Sequence, residues 1–310
     1  MNPCIVYLAS RLDDYNSILS TGESRFEMTC LSLKNVTKHL KLPVIMFHED
    51  FTAKEKNIMK SIYNNISFEI VDFIRPDIPF KQKPCKTSGK SDGICMCQSE
   101  HKKKNPKAKC FRPKGYLMMC RFFSGVMQSH PALEKYDSYF RFDDDSFLIE
   151  PFLDQKQFLK QFEHIHYGLR SIFFERNDQT KLFQFTKEFC ERKKLPFYKI
   201  ANLLESRAVT RNGIYSGIAP YNNFHFCKLD LWKHPIIKSY VEELEKINGC
   251  LVQGWMDANI HAMIAFVLCP IIGLPINNIT NFGYRHTRHF SILHRVNIVY
   301  KDNERFFPLY

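Results

Sequence analysis

Three consecutive carboxylates, Asp143, Asp144 and Asp145, follow the short aromatic run Tyr139-Phe140-Arg141-Phe142. Adjacent anions repel one another, and partly burying them is unfavourable unless a cation compensates. A hard divalent cation does so. It can also bridge the two phosphates of a nucleotide diphosphate-sugar and neutralise the departing diphosphate. Side chains alternate along an extended chain, so Asp143 and Asp145 are expected on one face and Asp144 on the other. Acidic turns after strands are common, and the triplet alone does not define a metal site. Asp257 and His261 stand four apart, on one face of a helix. The structural alternatives there are an aspartate favoured by the helix dipole and a core-facing histidine.

The elements that must position these groups alternate in type. Cys4 to Ala9 reads as a buried strand, Arg25 to Leu40 as a helix and Pro43 to His48 as a second strand. Phe51 to Asn64 follows as an amphipathic helix, then Ser67 to Phe73 as a strand. Such a β-α-β rhythm predicts a parallel sheet with crossover helices. Further on, Leu117 to Ser129 reads as a helix, Tyr139 to Phe142 as a strand, and Pro235 to Lys246 and Met256 to Leu268 as helices. Ligands of open α/β sheets collect at the carboxyl ends of strands, where the acidic triplet is expected to sit.

At 310 residues, with 45% hydrophobic and 14% aromatic content, the chain can bury a large core, and a disordered or fibrous class is excluded. No linker divides it, and the simplest reading is a single catalytic domain over 1–310. The formal charge of +12 owes much to a basic insert, 81–114, which carries Lys102-Lys103-Lys104. That insert lacks interleaved aromatics for stacking bases, so it reads as a solvated loop, with no nucleic-acid partner expected. Four of the 11 cysteines, Cys85, Cys95, Cys97 and Cys110, lie in it at a spacing unlike a paired zinc pattern. Scattered thiols, a disulfide-knit loop and a zinc clasp all remain open. No apolar stretch is long enough for a transmembrane helix, and the sequons at Asn35, Asn65 and Asn278 would matter only in a secretory compartment.

The residues from Gly115 to Asp145, with Tyr116, Met119-Cys120-Arg121, His130-Pro131 and Tyr139 to Asp145, resemble glycosyltransferase family 15, the fungal-type α-1,2-mannosyltransferases. Members carry Tyr-x-x-Met-Cys-Arg, a His-Pro turn, Tyr-Trp-Arg and an acidic Glu-Pro-Asp. Later segments are similar as well: Tyr167-Gly168, Asn223-Phe224 with Leu229 to Trp232, Trp255 to His261, and Gly283-Tyr284-Arg285-His286. The likeness runs from about Pro43 to His286 and lapses in the basic insert.

The resemblance implies an α/β fold of GT-A type, a nucleotide-sugar-binding sheet with helices on both faces. It further implies a metal-dependent retaining mannosyltransferase with Mn²⁺ as cofactor, GDP-mannose as donor and a mannose-containing glycan or glycoprotein as acceptor. Carried over by position, Asp145, Asp143 and His286 are the metal ligands, a donor set suited to Mn²⁺. Tyr116, Arg121 and Asp143 fall at the donor site, and His286 with Arg285, Arg288 and His289 could instead form a basic or diphosphate-binding turn. Asp257 matches an aspartate of the acceptor pocket, where it could orient or deprotonate the attacking hydroxyl.

One position departs from the pattern: His225 stands where the family has its candidate nucleophilic glutamate. Imidazole does not readily replace a carboxylate as glycosyl carrier. Same-face attack assisted by the leaving diphosphate, a substitute carboxylate at Asp230 or Glu175, and a different donor sugar are the three accounts left open. A non-catalytic glycan-binding homologue is a fourth. Family members are usually anchored in the Golgi membrane, and this sequence shows no anchor. A soluble, cytoplasmic protein is therefore expected. Its richness in Lys, Asn, Ile and Phe points to an AT-biased genome such as that of a large virus.

Overall fold

Alternation along the strands sorts the apolar residues into two layers. Cys4 and Val6, Ile45 and Phe47, Tyr139 and Cys227 enter one core cluster. Their neighbours Ile5 and Tyr7, Val44 and Met46, Phe140 and Phe142, Phe224 and Phe226 enter the other. Strands that are apolar on both faces must be covered on both, and they are central strands of a sheet sandwiched by helices.

The computed structural model describes residues 1–10, 24–71, 73, 89–90, 93–95, 111–150, 152, 154–174, 179–197, 210–211, 214–279 and 281–286. In chain order its strands are β1 (Pro3–Ala9), β2 (Val44–His48), β3 (Ile66–Ile70), β4 (Gly93–Cys95), β5 (Phe111–Pro113), β6 (Ser138–Phe142), β7 (Ser146–Ile149), β8 (Tyr167–Leu169), β9 (Ile172–Phe174), β10 (Thr210–Arg211), β11 (Ile214–Tyr215), β12 (Ile218–Pro220), β13 (Phe224–Lys228), β14 (Ile276–Asn278) and β15 (Gly283–His286). Seven of them form the main sheet in the order β14-β8-β13-β6-β1-β2-β3. The expected β-α-β units are present as β1, β2, β3 and β6 in parallel. The sheet is mostly parallel, the exception being β13, which runs antiparallel to both β6 and β8. As a result the carboxyl ends of β1, β6, β8 and β14 and the amino end of β13 share one edge of the sheet.

Helices Arg25–His39 and Ala53–Ile62 are each started by a capping box, Ser24 with Glu27 and Thr52 with Glu55. Two expected helices are interrupted. Lys114–Arg121 passes into a π-helical segment, Phe122–Val126, and Asp257–Ala262 into another, Met263–Leu268. Gly125 causes the first break, at φ 146°. A Cβ there would also collide with Val241, so glycine lets the Pro235–Lys246 helix pack close. The basic insert is not wholly a detachable loop. β4, within it, pairs with β5 near its end, and buried Arg112 on β5 donates to the Gly254 carbonyl. Cys95 lies on β4; Cys85, Cys97 and Cys110 fall outside the described residues.

Beyond the main sheet, β7 and β15 form an antiparallel ribbon that places His286 across from Ser146. Gly283 opens this ribbon, because a Cβ there would meet the carbonyl oxygens of Ile149 and Glu150. Gly283→Ala is therefore expected to destabilise the fold by about 1–3 kcal/mol, read as a lower urea midpoint. Gly115→Ala, where nothing lies within 4 Å of the new methyl and the residue is helical, is the control and should leave the midpoint the same or slightly higher.

Candidate active site

The acidic triplet forms the turn between β6 and β7. The Asp143 amide donates to the Asn223 carbonyl at 3.0 Å, and the Ser146 amide donates to the Asp143 carbonyl at 3.0 Å. One helix, Arg25–His39, supports the turn from behind through residues on a single face. Ser32 Oγ donates to the Ser146 carbonyl at 2.6 Å. The Asn35 carboxamide takes both backbone groups of Leu148, at 3.0 and 2.7 Å, so this sequon amide is occupied as a structural bracket. Arg25 grips Asp144 with two hydrogen bonds of 2.6 and 2.8 Å. Burial pushes the Asp144 carboxyl up to about 6, Arg25 opposing the rise and Asp145 adding to it.

With Asp144 turned to Arg25, Asp143 and Asp145 are left to meet His286. The imidazole Nε2 lies 2.8 Å from Asp145 Oδ1 and 3.7 Å from Asp143 Oδ2. Its Nδ1 lies 3.2 Å from the Tyr221 hydroxyl, which fixes the ring. Two carboxylates and an imidazole are a donor set that suits Mn²⁺ in chemistry. They are not a preassembled cage, since among the described residues no three such side chains are already disposed around one centre. A cation entering here would part the His286–Asp145 contact.

Beneath the turn lies a buried guanidinium. Arg141, 2% exposed, donates to Asp257 Oδ2 at 2.8 Å and to Asp143 Oδ1 at 2.9 and 3.2 Å. Its guanidinium carbon sits 3.5 Å above the centre of the Phe123 ring. Asp257 also accepts from Asn222 Nδ2 at 2.9 Å and from the Cys120 thiol at 3.5 Å. Burial alone would raise the Asp257 carboxyl, but Arg141 first, then His261 and Asn222, together hold the group below its ordinary value. Of the two roles expected from the sequence, orienting or deprotonating the attacking hydroxyl, a carboxylate paired in this way is suited to orienting.

His225 lies deeper in the sheet. It is fully buried on β13, one register step below this layer and opposite Arg141. Its Nε2 lies 3.2 Å from the Tyr139 hydroxyl and its Nδ1 3.4 Å from the Asn222 carbonyl. Burial first, then His261 and Arg141, hold it well below the ordinary histidine value, so it is neutral. The signal was in the sequence, because a histidine within the apolar run Phe224 to Cys227 belongs to a central strand. His261 donates from Nε2 to the Phe123 carbonyl at 2.8 Å and pairs through Nδ1 with the Tyr167 hydroxyl at 2.9 Å. The π-helical turn frees that carbonyl, which also accepts from Gln128.

The structure brings together Asp143, Asp145, His286 and, through Arg141, Asp257. Arg121 stands apart, since its guanidinium pairs with Glu245 at 2.8 Å. Tyr116 is 36% exposed, its hydroxyl donating to Met256 Sδ at 3.4 Å. Asp230, weighed as a substitute carboxylate, lies just beyond the opposite end of β13, exposed and 3.6 Å from His166. Glu175, Arg288 and His289 lie outside the described residues. Sequence reasoning missed Arg25, Asn35 and Tyr221; each acts through a long-range contact that spacing does not reveal.

The family model for glycolipid 2-alpha-mannosyltransferases matches residues 38–305. The chain belongs to this family. The glycolipid 2-alpha-mannosyltransferase of Saccharomyces cerevisiae is 29% identical over 175 residues, 56% of this chain and 39% of that protein. The aligned region thus spans about two fifths of that relative's length. The crystal structure of core-mannan synthase A from Aspergillus fumigatus, in its Mn/GDP form, superposes with a TM-score of 0.64 at 18% identity, covering 92% of this chain and 74% of that one. The mannosyltransferase Ktr4p from S. cerevisiae in complex with GDP gives 0.64 at 20% identity, covering 92% and 71%. At such identities the superpositions establish a shared fold for this chain. Among its described residues no helix is long and apolar enough to cross a membrane.

The two buried imidazoles make stability depend on pH. The folded chain holds His261 at about 4, against 6.5 for an ordinary histidine, burial being the main cause. As pH falls, the unfolded chain takes up protons first. Stability is therefore full above about pH 6.5 and declines toward pH 4, by on the order of 3 kcal/mol from His261 alone. Urea unfolding across this window should show a falling midpoint, and His261→Gln should flatten the fall.

Proposed function

We propose that the chain is a retaining α-1,2-mannosyltransferase that uses Mn²⁺ and moves mannose from GDP-mannose to a mannose-containing glycan or glycoprotein. The observation that carries this reading is the meeting of Asp143, Asp145 and His286 at the strand-end edge of the sheet in a member of this family. It is supported by the Mn/GDP form of a structure with the same fold. Asp145, Asp143 and His286 would hold the cation, whose bound charge neutralises the leaving diphosphate. Tyr221 keeps the imidazole turned toward the carboxylates. Arg141 fixes Asp143 from below and is itself fixed by Asp257. Tyr116, on the first turn of its helix, stands where the resemblance expects a substrate-contacting tyrosine.

Neutral, buried His225 supplies no nucleophile, and Asp230 is remote, so neither serves as a covalent glycosyl carrier. The reaction is then best written as attack from the face the diphosphate leaves. The bond from the anomeric carbon to phosphate oxygen breaks, the bond to the acceptor oxygen forms, and the hydroxyl proton passes to the departing phosphate. The same burial of His225 favours a second reading, a glycan-binding homologue without turnover.

Release of GDP from GDP-mannose, followed with and without Mn²⁺, separates the two. The transferase reading expects metal-dependent release that falls at least about 100-fold in Asp145→Ala and in His286→Ala. Asp230→Ala should keep the wild-type rate. Tight glycan binding with no GDP release at any metal concentration would establish the second reading instead.

A further inference from the structure

Three side-chain atoms near the acidic turn are buried and lack any hydrogen-bond partner: both polar atoms of the Asn223 carboxamide and the Ser171 hydroxyl. Asn223 is 5% exposed and Ser171 1%. Their backbone carbonyls are both bonded. The Asn223 carbonyl accepts from the Asp143 amide at 3.0 Å and from Ser146 Oγ at 3.4 Å, and the Ser171 carbonyl accepts from the Tyr221 amide at 2.8 Å. Both segments are thus held in place while their side chains are unsatisfied. Buried polar groups are seldom left so without a reason, and a bound molecule that completes them is one.

Register places the two together. Phe224 pairs with Phe142, so Asn223 stands opposite Asp143. On the other side Pro220 pairs with Ile172 and the Tyr221 amide donates to the Ser171 carbonyl, so Ser171 stands opposite Tyr221, two residues before Asn223. Opposed residues of antiparallel strands share a face. Asp143 opposite Asn223, and Ser171 opposite Tyr221, therefore form a stepped row along the strand-end edge, with the Tyr221 hydroxyl 3.2 Å from His286. The Asp143 side chain, 29% exposed, is where this row opens to solvent.

We infer that Asn223 and Ser171 read the hydroxyl groups of the transferred sugar. The inference rests on the proposed function and deepens it. A carboxamide offers a donor and an acceptor side by side, and a hydroxyl offers both on one atom. This neutral set complements neighbouring hydroxyls of a pyranose. Phosphate would call for cations, and a metal would call for anionic or imidazole donors. A sugar joined to a diphosphate at Asp145 and His286 would hang beside Asp143, against this row. The pair then discriminates between sugars and leaves the affinity for the nucleotide unaltered.

The test uses the full chain with Mn²⁺ and compares binding of GDP with binding and turnover of GDP-mannose. In Asn223→Ala and in Ser171→Ala, GDP affinity should stay within about twofold. KM for GDP-mannose should rise, and preference over GDP-glucose should fall, each about tenfold or more, because a site built to bond hydroxyls loses its selectivity when one partner is removed. Asn223→Asp, which keeps the acceptor but loses the donor, should fall between. Unchanged KM and preference in both alanine variants would mean that ordered water satisfies these groups, and would overturn the inference with the transferase reading intact. So would equal losses for GDP and GDP-mannose, the mark of a damaged acidic turn. Should Asn223→Ala fail to fold, Ser171→Ala decides, since it removes one hydroxyl only. A wild-type chain that binds neither GDP nor GDP-mannose would remove the transferase reading itself, and the inference with it.

Discussion

A guanidinium removed from water is tolerable only where anions surround it, and Arg141 is surrounded on two sides. Asp143 reaches it from the β6–β7 turn and Asp257 from the start of a helix more than a hundred residues later. Breaking either pair would strand a charge in the interior, so neither anion can move far without the other. Phe123 closes the flat side of the guanidinium, and Asn222 ties Asp257 back to the entrance of β13. One cation thereby joins the acidic turn, the amino end of β13 and the late helix into a rigid floor. What lies above that floor, Asp145 and His286, can respond to a ligand while the floor keeps its shape.

The layer below is neutral by construction. His225 and His261 lie close to Arg141, and a second or third positive charge there would have no counterion. Burial keeps both imidazoles unprotonated, and each ring nitrogen faces a hydroxyl or a carbonyl instead. The π-helical turn at Phe122–Val126 serves this arrangement by turning the Phe123 carbonyl away from its own helix and toward His261 and Gln128. Helical irregularity, buried histidines and the Arg141 clamp are therefore parts of one polar assembly inside an apolar core.

Much of this was legible in the sequence because it depends on period. The β-α-β opening, the β6 strand and the opposed facing of Asp143 and Asp144 all follow from alternation and helical spacing. The antiparallel entry of β13 was not legible, since direction in a sheet is set by the path of the intervening chain. Nor was the break at Gly125, which depends on what packs against it, namely Val241. His225 was read by position in a motif and so was given chemistry; read by its apolar neighbours, it belongs to the core. Arg25 illustrates the remaining gap. Nothing in the acidic triplet shows that its middle member is matched by a residue at the start of the first described helix.

The β7–β15 ribbon also sets an order of events during synthesis. The carboxylates of the acidic turn leave the ribosome with β6, whereas His286 emerges almost at the end of the described chain and reaches Asp145 only when β15 lies down on β7. Until then the turn is opposed by Arg25 and Arg141 alone, and its imidazole is missing. A nascent or clipped chain that stops short of Gly283 would hold most of the sheet yet present an unfinished centre. Completion of the site thus reports that the whole polypeptide, from β6 to the last ribbon, has come together.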